Sequence, residues 1–209
     1  MNIELHNFFP TPVMVADFKR DFSTEEKEFF KKQVEGTLKY NGKFKNKNSI
    51  SENLNILDDP LMENLKYDIL EMLYMFIKSI YRPSTEVLPY ITQSWITVTK
   101  EGEYHHIHNH PNSYISGTLY IDADEEVDQI GFVKPNLYNS IRLSTDEPNS
   151  YTKHNEFISA KSGRIILFPS YVEHFVPAKV GNNIRTTLTF NSFLKGNLGS
   201  AAALTELIL

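Results

Sequence analysis

Histidines are the residues of this 209-residue chain whose number and spacing most strongly suggest chemistry. Six of the seven lie between residues 105 and 174, and four of these fall within six positions, at His105, His106, His108 and His110. If that segment is extended, His106, His108 and His110 project to one side, because strand side chains alternate between faces. Crowded imidazoles repel when protonated and lack partners when neutral, and a divalent cation relieves both costs. The cluster therefore predicts a metal site, for which imidazole suits Zn, Fe, Cu and Ni alike.

A second candidate element lies later in the chain, where His174 begins a predicted strand and Arg185 and Thr187 belong to the next one. Arg185 and Thr187 are two residues apart and therefore share a face of their strand. An arginine flanked by apolar residues must find an anion or face water. The pattern leaves two possibilities open, because Arg185 could bind a ligand carboxylate or pair with a structural one such as Glu173.

Composition limits the functions that this chain can have. Its 21 Lys and Arg residues against 26 Asp and Glu residues give a net charge of −5, which argues against sequence-independent binding to nucleic acid. The absence of cysteine excludes a disulfide scaffold, a Cys-ligated zinc site, an iron–sulfur cluster and a thiol nucleophile. It also fits a cytoplasmic protein, and no stretch of the sequence is apolar enough to suggest a membrane span.

The chain is predicted to begin with an extended segment and a first helix. Two prolines keep residues 1–18 out of helical conformation. Ser23 and Glu26 then have the spacing of a capping box, in which each residue satisfies a backbone N–H of the other. This signature predicts a helix that runs from there to about Tyr40.

A loop and a second, longer helix are predicted next. Residues 40–55 are rich in Asn, Gly and Lys, which favours a loop. Asp59 followed by Pro60 has the form of a helix start, since the carboxylate can cap the helix and proline suits its first position. Apolar residues recur at helical spacing from there to about Tyr81, so this helix is expected to bury one face.

After Pro89 the sequence changes to short runs of β-branched and aromatic residues. These runs predict strands at 90–100, Ile115–Ile121, Gln129–Val133, Ser140–Leu143, Glu156–Ser159, Arg164–Phe168, Glu173–Pro177 and Ile184–Phe193. Helices followed by such strands predict a mostly β (α+β) fold, with a sandwich or jelly-roll core and helices packed outside it. We expect a single domain over 1–209, made of a helical support region (1–85), a jelly-roll core (86–196) and a C-terminal tail (197–209).

Together these residues resemble a known enzyme family, the 2-oxoglutarate/Fe(II)-dependent dioxygenases. The motif residues of that family are similar to a set in this chain: Tyr104, His108-x-His110, the distal His174 and Arg185-x-Thr187. The segments HNHPNSYISGTLYID, FPSYVEH, RTTLTFNSF and LKGNLGS are also similar to small oxygenases of this type in phage and marine bacterial genomes. The resemblance implies a double-stranded β-helix (jelly-roll) core and an enzyme that uses Fe(II), 2-oxoglutarate and O2.

The resemblance also implies roles for individual residues. The expected metal ligands are His108, His110 and His174, the expected cofactor-binding residues are Arg185, Thr187 and Tyr120, and the expected supporting residues are Tyr104, Gly117 and Asn191. Arg185 would hold the C5 carboxylate of 2-oxoglutarate, with Thr187 beside it. In ISGTLYI, Gly117 and Tyr120 fall on opposite faces, and the sequence leaves open which face is inward.

One expected ligand departs from the family pattern. Most of the superfamily carries a carboxylate where this chain has His110. The metal could have three histidine ligands, or two histidines and a further ligand from Asp122, Glu173, water or an anion. We expect three histidines, because His110 already has ligand spacing and shares a strand face with His108.

Three functions are compatible with the sequence. The leading hypothesis is an Fe(II)/2-oxoglutarate-dependent oxygenase that couples oxidative decarboxylation of 2-oxoglutarate to hydroxylation of a small molecule or protein side chain. A homodimer is the default expectation for its oligomeric state. Its expected location is the cytoplasm, or the host cytoplasm if the protein is phage-encoded. The second is a cupin-like metalloenzyme that does not use 2-oxoglutarate; Gly102 and His108-x-His110 fit it, but its expected Glu is missing. The third is a non-enzymatic metal-binding jelly-roll module of a phage particle. The loops at 40–55 and 136–151 are expected to shape substrate access.

Overall fold

The protein is described by a computed structural model that covers residues 2–4, 6, 9–18, 20–39, 48–135 and 144–209. In this part of the chain, two antiparallel sheets face each other and two helices cover the outer face of the larger sheet. The helices are α1 (Thr24–Glu35) and α2 (Glu63–Ile80). The strands are β1 (Met14–Asp17), β2 (Thr37–Lys39), β3 (Ser49–Ser51), β4 (Val87–Thr99), β5 (His105–His108), β6 (Ile115–Asp122), β7 (Gln129–Val133), β8 (Asn155–Ser159), β9 (Arg164–Pro169), β10 (His174–Val176), β11 (Arg185–Leu198) and β12 (Leu207–Ile208).

The sheet order explains how distant parts of the chain meet. The larger sheet runs β1-β9-β6-β11-β4-β3-β2, with β12 paired to β11, and the smaller sheet runs β5-β10-β7-β8. Strand β11 lies at the centre of the larger sheet between β4 and β6. The predicted mostly β, jelly-roll architecture with helices outside it is confirmed. Within the described residues, no helix combines the length and apolar character that crossing a membrane requires.

Helix α1 begins at its predicted cap and ends before its predicted end. The Ser23 hydroxyl accepts a hydrogen bond from the backbone N–H of Glu26, and the Glu26 carboxylate accepts one from the backbone N–H of Ser23. The helix stops at Glu35, and Thr37–Lys39 forms a strand instead of the predicted last turn. A β-branched residue directly after Gly36 favours this exit, and pairing with β3 supplies the backbone hydrogen bonds that the helix would have supplied.

Helix α2 confirms the second predicted helix and supplies most of the outer core. Asp59 accepts a hydrogen bond from the backbone N–H of Leu61, and a single 3-10 turn at Pro60–Met62 leads into the helix. Its apolar face is fully buried against the larger sheet through Leu65, Ile69, Leu73, Phe76 and Ile77. Each such side chain contributes roughly 1.5–3 kcal/mol when it leaves water, so this helix fixes the sheet that carries the site.

Each strand predicted after Pro89 within the described residues occurs, with shifts of a few residues at its ends, and β5 and β12 are formed in addition. The predicted strand at Ser140–Leu143 lies outside the described residues. The first 85 residues are not only helical, because β1 pairs with β9 and β3 pairs with β4. Strand β11 also continues past the predicted end of the core, to Leu198, where it pairs with β12. These short strands have little alternation of polar and apolar residues to predict them, and they form because they pair with longer strands of the larger sheet.

Candidate metal centre and anion pocket

Three histidines converge between the two sheets, on adjacent strands and the loop beside them. Strands β5 and β10 pair antiparallel with His174 opposite His108, and His110 follows two residues after the end of β5. The ligand atoms of His108, His110 and His174 all lie within 4.8 Å of one another. The backbone N–H of His110 donates to the carbonyl of Ser170, which fixes the loop that carries this side chain.

The spacing of the imidazole nitrogens fits a metal ion. His110 Nε2 lies 3.2 Å from His174 Nε2. Two nitrogens that each lie about 2.1 Å from an ion are separated by roughly 3.0 Å at octahedral angles and 3.4 Å at tetrahedral angles. The observed distance falls between these values, so one ion can bind both rings with little movement of either.

Backbone carbonyls orient two of the three rings. Nδ1 of His174 lies 3.0 Å from the carbonyl oxygen of Val172, and Nδ1 of His108 lies 2.8 Å from that of His106. A carbonyl oxygen can only accept a hydrogen bond, so both Nδ1 atoms carry the proton and both Nε2 atoms keep a lone pair. Histidine ligands are commonly oriented in this way, with the second nitrogen donating to a carbonyl or carboxylate.

The surroundings keep two of these imidazoles, those of His110 and His174, neutral, as metal binding requires. Burial, followed by the nearby His108, lowers the pKa of His110 from 6.5 to about 4. Burial and the other two histidines lower the pKa of His174 to about 3. Near neutral pH the rings therefore present lone pairs and need release no proton to bind a cation.

These shifts predict that the metal-free protein loses stability in mild acid. In the unfolded chain His110 and His174 take up protons near pH 6.5, whereas in the folded chain they do so only near pH 4 and 3. The unfolded state therefore binds more protons between these values, and the free energy of unfolding falls as the pH drops through this window. Urea unfolding of the metal-free protein at pH 7.5, 5.5 and 4.5 measures the effect. A His110→Gln variant should lose less over this range, and an equal loss would contradict the assignment.

The remaining histidines of the cluster do not join the ligand set. His106 is exposed, so only two of the three alternating histidines face the site. His105 stacks on His108 with ring centroids 4.2 Å apart, and its Nδ1 lies 3.1 Å from the Asn48 amide nitrogen. Asp122 and Glu173 are exposed, and among the described residues neither belongs to the group that could hold the ion. The structure thus favours three histidine ligands over a set completed by either carboxylate.

A pocket of about 60 Å³ connects the histidines with the inner face of the larger sheet. Alternation along the strands decides which residues face it. Odd positions from Trp95 to Thr99 in β4 and from Arg185 to Thr189 in β11, and even positions of β6, point inward. Its floor is formed largely by threonines, namely Thr97, Thr99, Thr118, Thr187 and Thr189. Trp95, the only tryptophan of the chain, also lines it, with its ring 6.0 Å from the ring of His110.

Arg185 lies in the same pocket and is the unusual group there. It is 3% exposed, and within the described residues no hydrogen bond satisfies its guanidinium. The nearest carboxylate is not Glu173 but Asp128, whose Oδ1 lies 3.6 Å from Nη1 of Arg185. Burial lowers the pKa of Arg185, while Tyr120 and Asp128 act in the opposite direction. A buried cation that makes an ion pair but no hydrogen bond within the described residues can still accept a carboxylate ligand.

Tyr120 and Thr187 line the same pocket as this arginine. They are cross-strand neighbours in the pairing of β6 with β11, and both face the pocket. Tyr120 is fully buried, and this burial raises the pKa of its hydroxyl to about 12. The hydroxyl therefore remains protonated at physiological pH and can donate a hydrogen bond to an anion.

The three expected supporting residues have different positions. Asn191 is buried, and its side-chain oxygen accepts a hydrogen bond from the Ser116 hydroxyl, which is itself bonded to Ser170. Asn191 is thereby connected to the segment that holds the His110 backbone. Tyr104 does not line the pocket; its carbonyl accepts a hydrogen bond from the Asn48 backbone. Gly117 lies on the opposite face of the sheet from Tyr120, towards the helices.

The position of Gly117 predicts a stability effect without a site effect. A Cβ at this residue would overlap the Phe190 ring and the Leu167 side chain in the outer core. We expect Gly117→Ala to lower the free energy of unfolding by about 1–3 kcal/mol, as overpacking does, and to leave metal affinity unchanged. Gly36→Ala is a matched control, because a Cβ there meets only backbone atoms at 3.8 Å. Equal stabilities of the two variants in urea unfolding would contradict this expectation.

Two buried residues near the site escaped sequence reasoning. Asp128 and Lys179 are each at most 3% exposed and form an ion pair with each other, next to Arg185. Both occur in polar stretches of the sequence that resemble ordinary surface turns. Only the packing of the loops around them against β11 shows that they are buried. No local signal in the sequence could have revealed this.

Comparison with known proteins supports the same family as the site does. Residues 93–191 match the family model described as "Putative 2OG-Fe(II) oxygenase". This segment runs from the middle of β4 to the middle of β11 and includes all three histidines and Arg185. No curated protein matches the sequence. The narrower likeness to phage and marine bacterial members stays a prediction.

Solved structures share the fold at low sequence identity. HygX from Streptomyces hygroscopicus, solved with nickel, 2-oxoglutarate and hygromycin B, is 13% identical, with a TM-score of 0.59 over 87% of this chain and 82% of that one. A Pseudomonas putida prolyl-4-hydroxylase is 12% identical, with a TM-score of 0.53 over 87% and 92% of the two chains. A Trichoplax adhaerens prolyl hydroxylase is 16% identical, with a TM-score of 0.55 over 87% and 83%. Residues 93–191 are thus similar to the "Putative 2OG-Fe(II) oxygenase" family, and the chain shares the fold of the solved 2-oxoglutarate-dependent enzymes.

Proposed function

We propose that the protein binds Fe(II) and 2-oxoglutarate and uses O2 to hydroxylate a small molecule or a protein side chain. One observation carries the proposal: a single pocket contains three converging imidazoles and a buried arginine that lacks a hydrogen-bond partner among the described residues. His108, His110 and His174 would hold the iron, and Arg185 would bind the C5 carboxylate. A cytoplasmic location is part of the proposal, since 2-oxoglutarate and reduced iron are both available there.

The charge of the three histidine ligands is compatible with binding both Fe(II) and 2-oxoglutarate. Three neutral imidazoles leave a divalent ion with its full charge of +2, which the two carboxylates of 2-oxoglutarate neutralise. The replacement of the usual carboxylate by His110 is therefore compatible with 2-oxoglutarate as a ligand.

The residues of the pocket would bind, orient and shield the cofactors. When bound, iron and 2-oxoglutarate supply the oxidation, in which the 2-oxo acid is decarboxylated to succinate and O2 provides the hydroxyl oxygen. The guanidinium of Arg185 can donate two parallel hydrogen bonds to a carboxylate and so fix its direction as well as its charge. The Tyr120 and Thr187 hydroxyls line the same pocket and would donate to the same group. Ile130, Phe168 and Val176 provide apolar walls that exclude water.

Calorimetric titration of the nickel-loaded protein tests the proposal without turnover. Nickel is a suitable probe, because HygX was solved with nickel and 2-oxoglutarate bound. We expect 2-oxoglutarate to bind at least about tenfold more tightly than 2-oxobutanoate, which lacks the far carboxylate, and than glutarate, which lacks the 2-oxo acid. Equal affinity for 2-oxobutanoate would contradict the role of Arg185. Nickel binding with no response to 2-oxoglutarate would favour the cupin-like or the purely metal-binding alternative.

Turnover provides the second arm of the test. Incubation with Fe(II), O2 and 2-oxoglutarate should yield succinate, and addition of the correct substrate should increase the yield. The product should depend on added iron and should disappear in the His174→Ala variant. Succinate formation that is independent of iron would contradict the proposal.

A further inference from the structure

A second buried charge cluster lies behind Arg185, on the side of Asp128. Lys179 Nζ is 3.4 Å from Asp128 Oδ1, and neither side chain is exposed to solvent. Lys179 also donates to the side-chain oxygen of Asn183 at 2.6 Å and to the carbonyl of Val180 at 3.0 Å. These contacts hold the ammonium group in place between β10 and β11, where solvent cannot balance its charge.

The two oxygens of the Asp128 carboxylate have different surroundings. Oδ2 accepts hydrogen bonds from the Asn183 side chain and from the backbone N–H of Asp124, at 3.1 and 2.9 Å. Oδ1 is buried and accepts no hydrogen bond from any described residue, yet it faces two cations, Lys179 at 3.4 Å and Arg185 at 3.6 Å. The carboxylate is thus anchored through one oxygen, while the other is shared electrostatically between the lysine and the arginine.

Charge counting shows what this cluster lacks. One carboxylate faces two cations, so Lys179, Asp128 and Arg185 together carry one excess positive charge in a buried site. If Lys179 were neutral, Asp128 and Arg185 would balance each other, and their ion pair at 3.6 Å would tighten into a hydrogen-bonded one. The charge of Lys179 therefore decides how strongly Asp128 competes with a ligand for Arg185.

We propose that Lys179 is a positioning residue for 2-oxoglutarate binding, which neutralises Asp128 and so keeps Arg185 available for the C5 carboxylate. The inference rests on the proposed function, because it assigns the anion that Arg185 binds. It also explains why Arg185 lies near Asp128 without making a hydrogen bond to it. Asp128 in turn makes two buried cations tolerable before the ligand arrives.

Neutral substitutions of the two partners test the proposal. Lys179→Gln removes the charge and keeps an N–H donor for Asn183, and we expect it to weaken 2-oxoglutarate binding by about tenfold or more. Asp128→Asn should lower stability but retain affinity, because nothing then competes for Arg185. The double variant Lys179→Gln/Asp128→Asn should recover wild-type affinity within about threefold. A merely structural role of Lys179 would not produce this rescue.

Three controls isolate the effect on Arg185. Nickel affinity should be the same in all these variants. It can be followed by the fluorescence of Trp95, because this residue lies beside His110. Binding of 2-oxobutanoate, which lacks the far carboxylate, should not change in Lys179→Gln. Lys161→Gln removes a partly exposed lysine that pairs with Asp17 outside the pocket, and it should bind 2-oxoglutarate like the wild type.

The outcomes separate this inference from the proposed function. A wild-type protein that binds no 2-oxoglutarate overturns both. Wild-type binding together with undiminished affinity in Lys179→Gln overturns the inference alone, as does a double variant that binds no better than Lys179→Gln. If Lys179→Gln fails to fold, Asp128→Asn decides, because a tenfold loss of affinity in that variant would contradict competition for Arg185.

Discussion

Replacing His174 with alanine is expected to weaken metal binding by more than about 100-fold. Loss of a partner that merely orients a ligand typically costs 10–100-fold in metal affinity, and loss of a ligand itself should cost more. His174 is the most buried of the three histidines, and its strand pairs directly with the strand of His108. Retention of nickel or iron after desalting, measured by elemental analysis, gives the result independently of activity.

A matched control distinguishes a lost ligand from general damage. His106→Ala removes an exposed histidine of the same cluster that lies outside the ligand set, and it should keep full metal occupancy. His108→Ala should behave like His174→Ala. If either of these two variants retains full occupancy while folded, the three-histidine assignment is wrong.

The second large effect is expected for Arg185→Ala, which should weaken 2-oxoglutarate binding by tens-fold or more. Truncating one partner of a desolvated charged pair costs about 2–5 kcal/mol. The fold should tolerate the change, because Asp128 and Lys179 remain paired when the arginine is removed. Arg185→Lys should fall between the wild type and Arg185→Ala, since it keeps the charge but loses the two-pronged geometry. Calorimetry on the nickel-loaded variants measures all three affinities.

The same variants also test the opposite interpretation, in which Arg185 only stabilises the fold through Asp128. In that case Arg185→Ala would lower the melting temperature and leave the affinity for 2-oxoglutarate unchanged. Metal occupancy is the internal control, because the candidate metal group consists of histidines alone and loss of Arg185 should leave nickel affinity as it is.

The parts of the fold that could be predicted from the sequence are those with local signals. The Ser23–Glu26 capping box, the Asp59–Pro60 helix start and the apolar face of α2 each depend on a few neighbouring residues, and each occurs where predicted. Strand β2 was missed, because its three residues form a strand only through pairing with β3. Short edge strands depend on tertiary partners that no local pattern records.

The residues of the site likewise divide into those with a local sequence signal and those that only the three-dimensional packing reveals. Spacing brought His108 and His110 to one face and made His174 and Arg185 candidates, and the resemblance gave these two residues their roles. Alternation alone could not decide whether Tyr120 or Gly117 lies on the inner face of the sheet. In the structure Tyr120 lines the pocket, and Gly117 packs against Phe190 on the other side of the sheet. Asp128 and Lys179 were invisible, since a buried ion pair between two loops is a property of three-dimensional packing.

The central claim is that one pocket binds both a metal ion through three histidines and 2-oxoglutarate through Arg185. Its most direct test is an anaerobic titration of the Fe(II)-loaded protein with 2-oxoglutarate, followed by visible absorbance. We predict a weak charge-transfer band that grows to saturation at one equivalent in the wild type and requires much higher 2-oxoglutarate concentrations in Arg185→Ala. Iron that is bound, as shown by the fluorescence of Trp95, but gives no band at any 2-oxoglutarate concentration would contradict the claim.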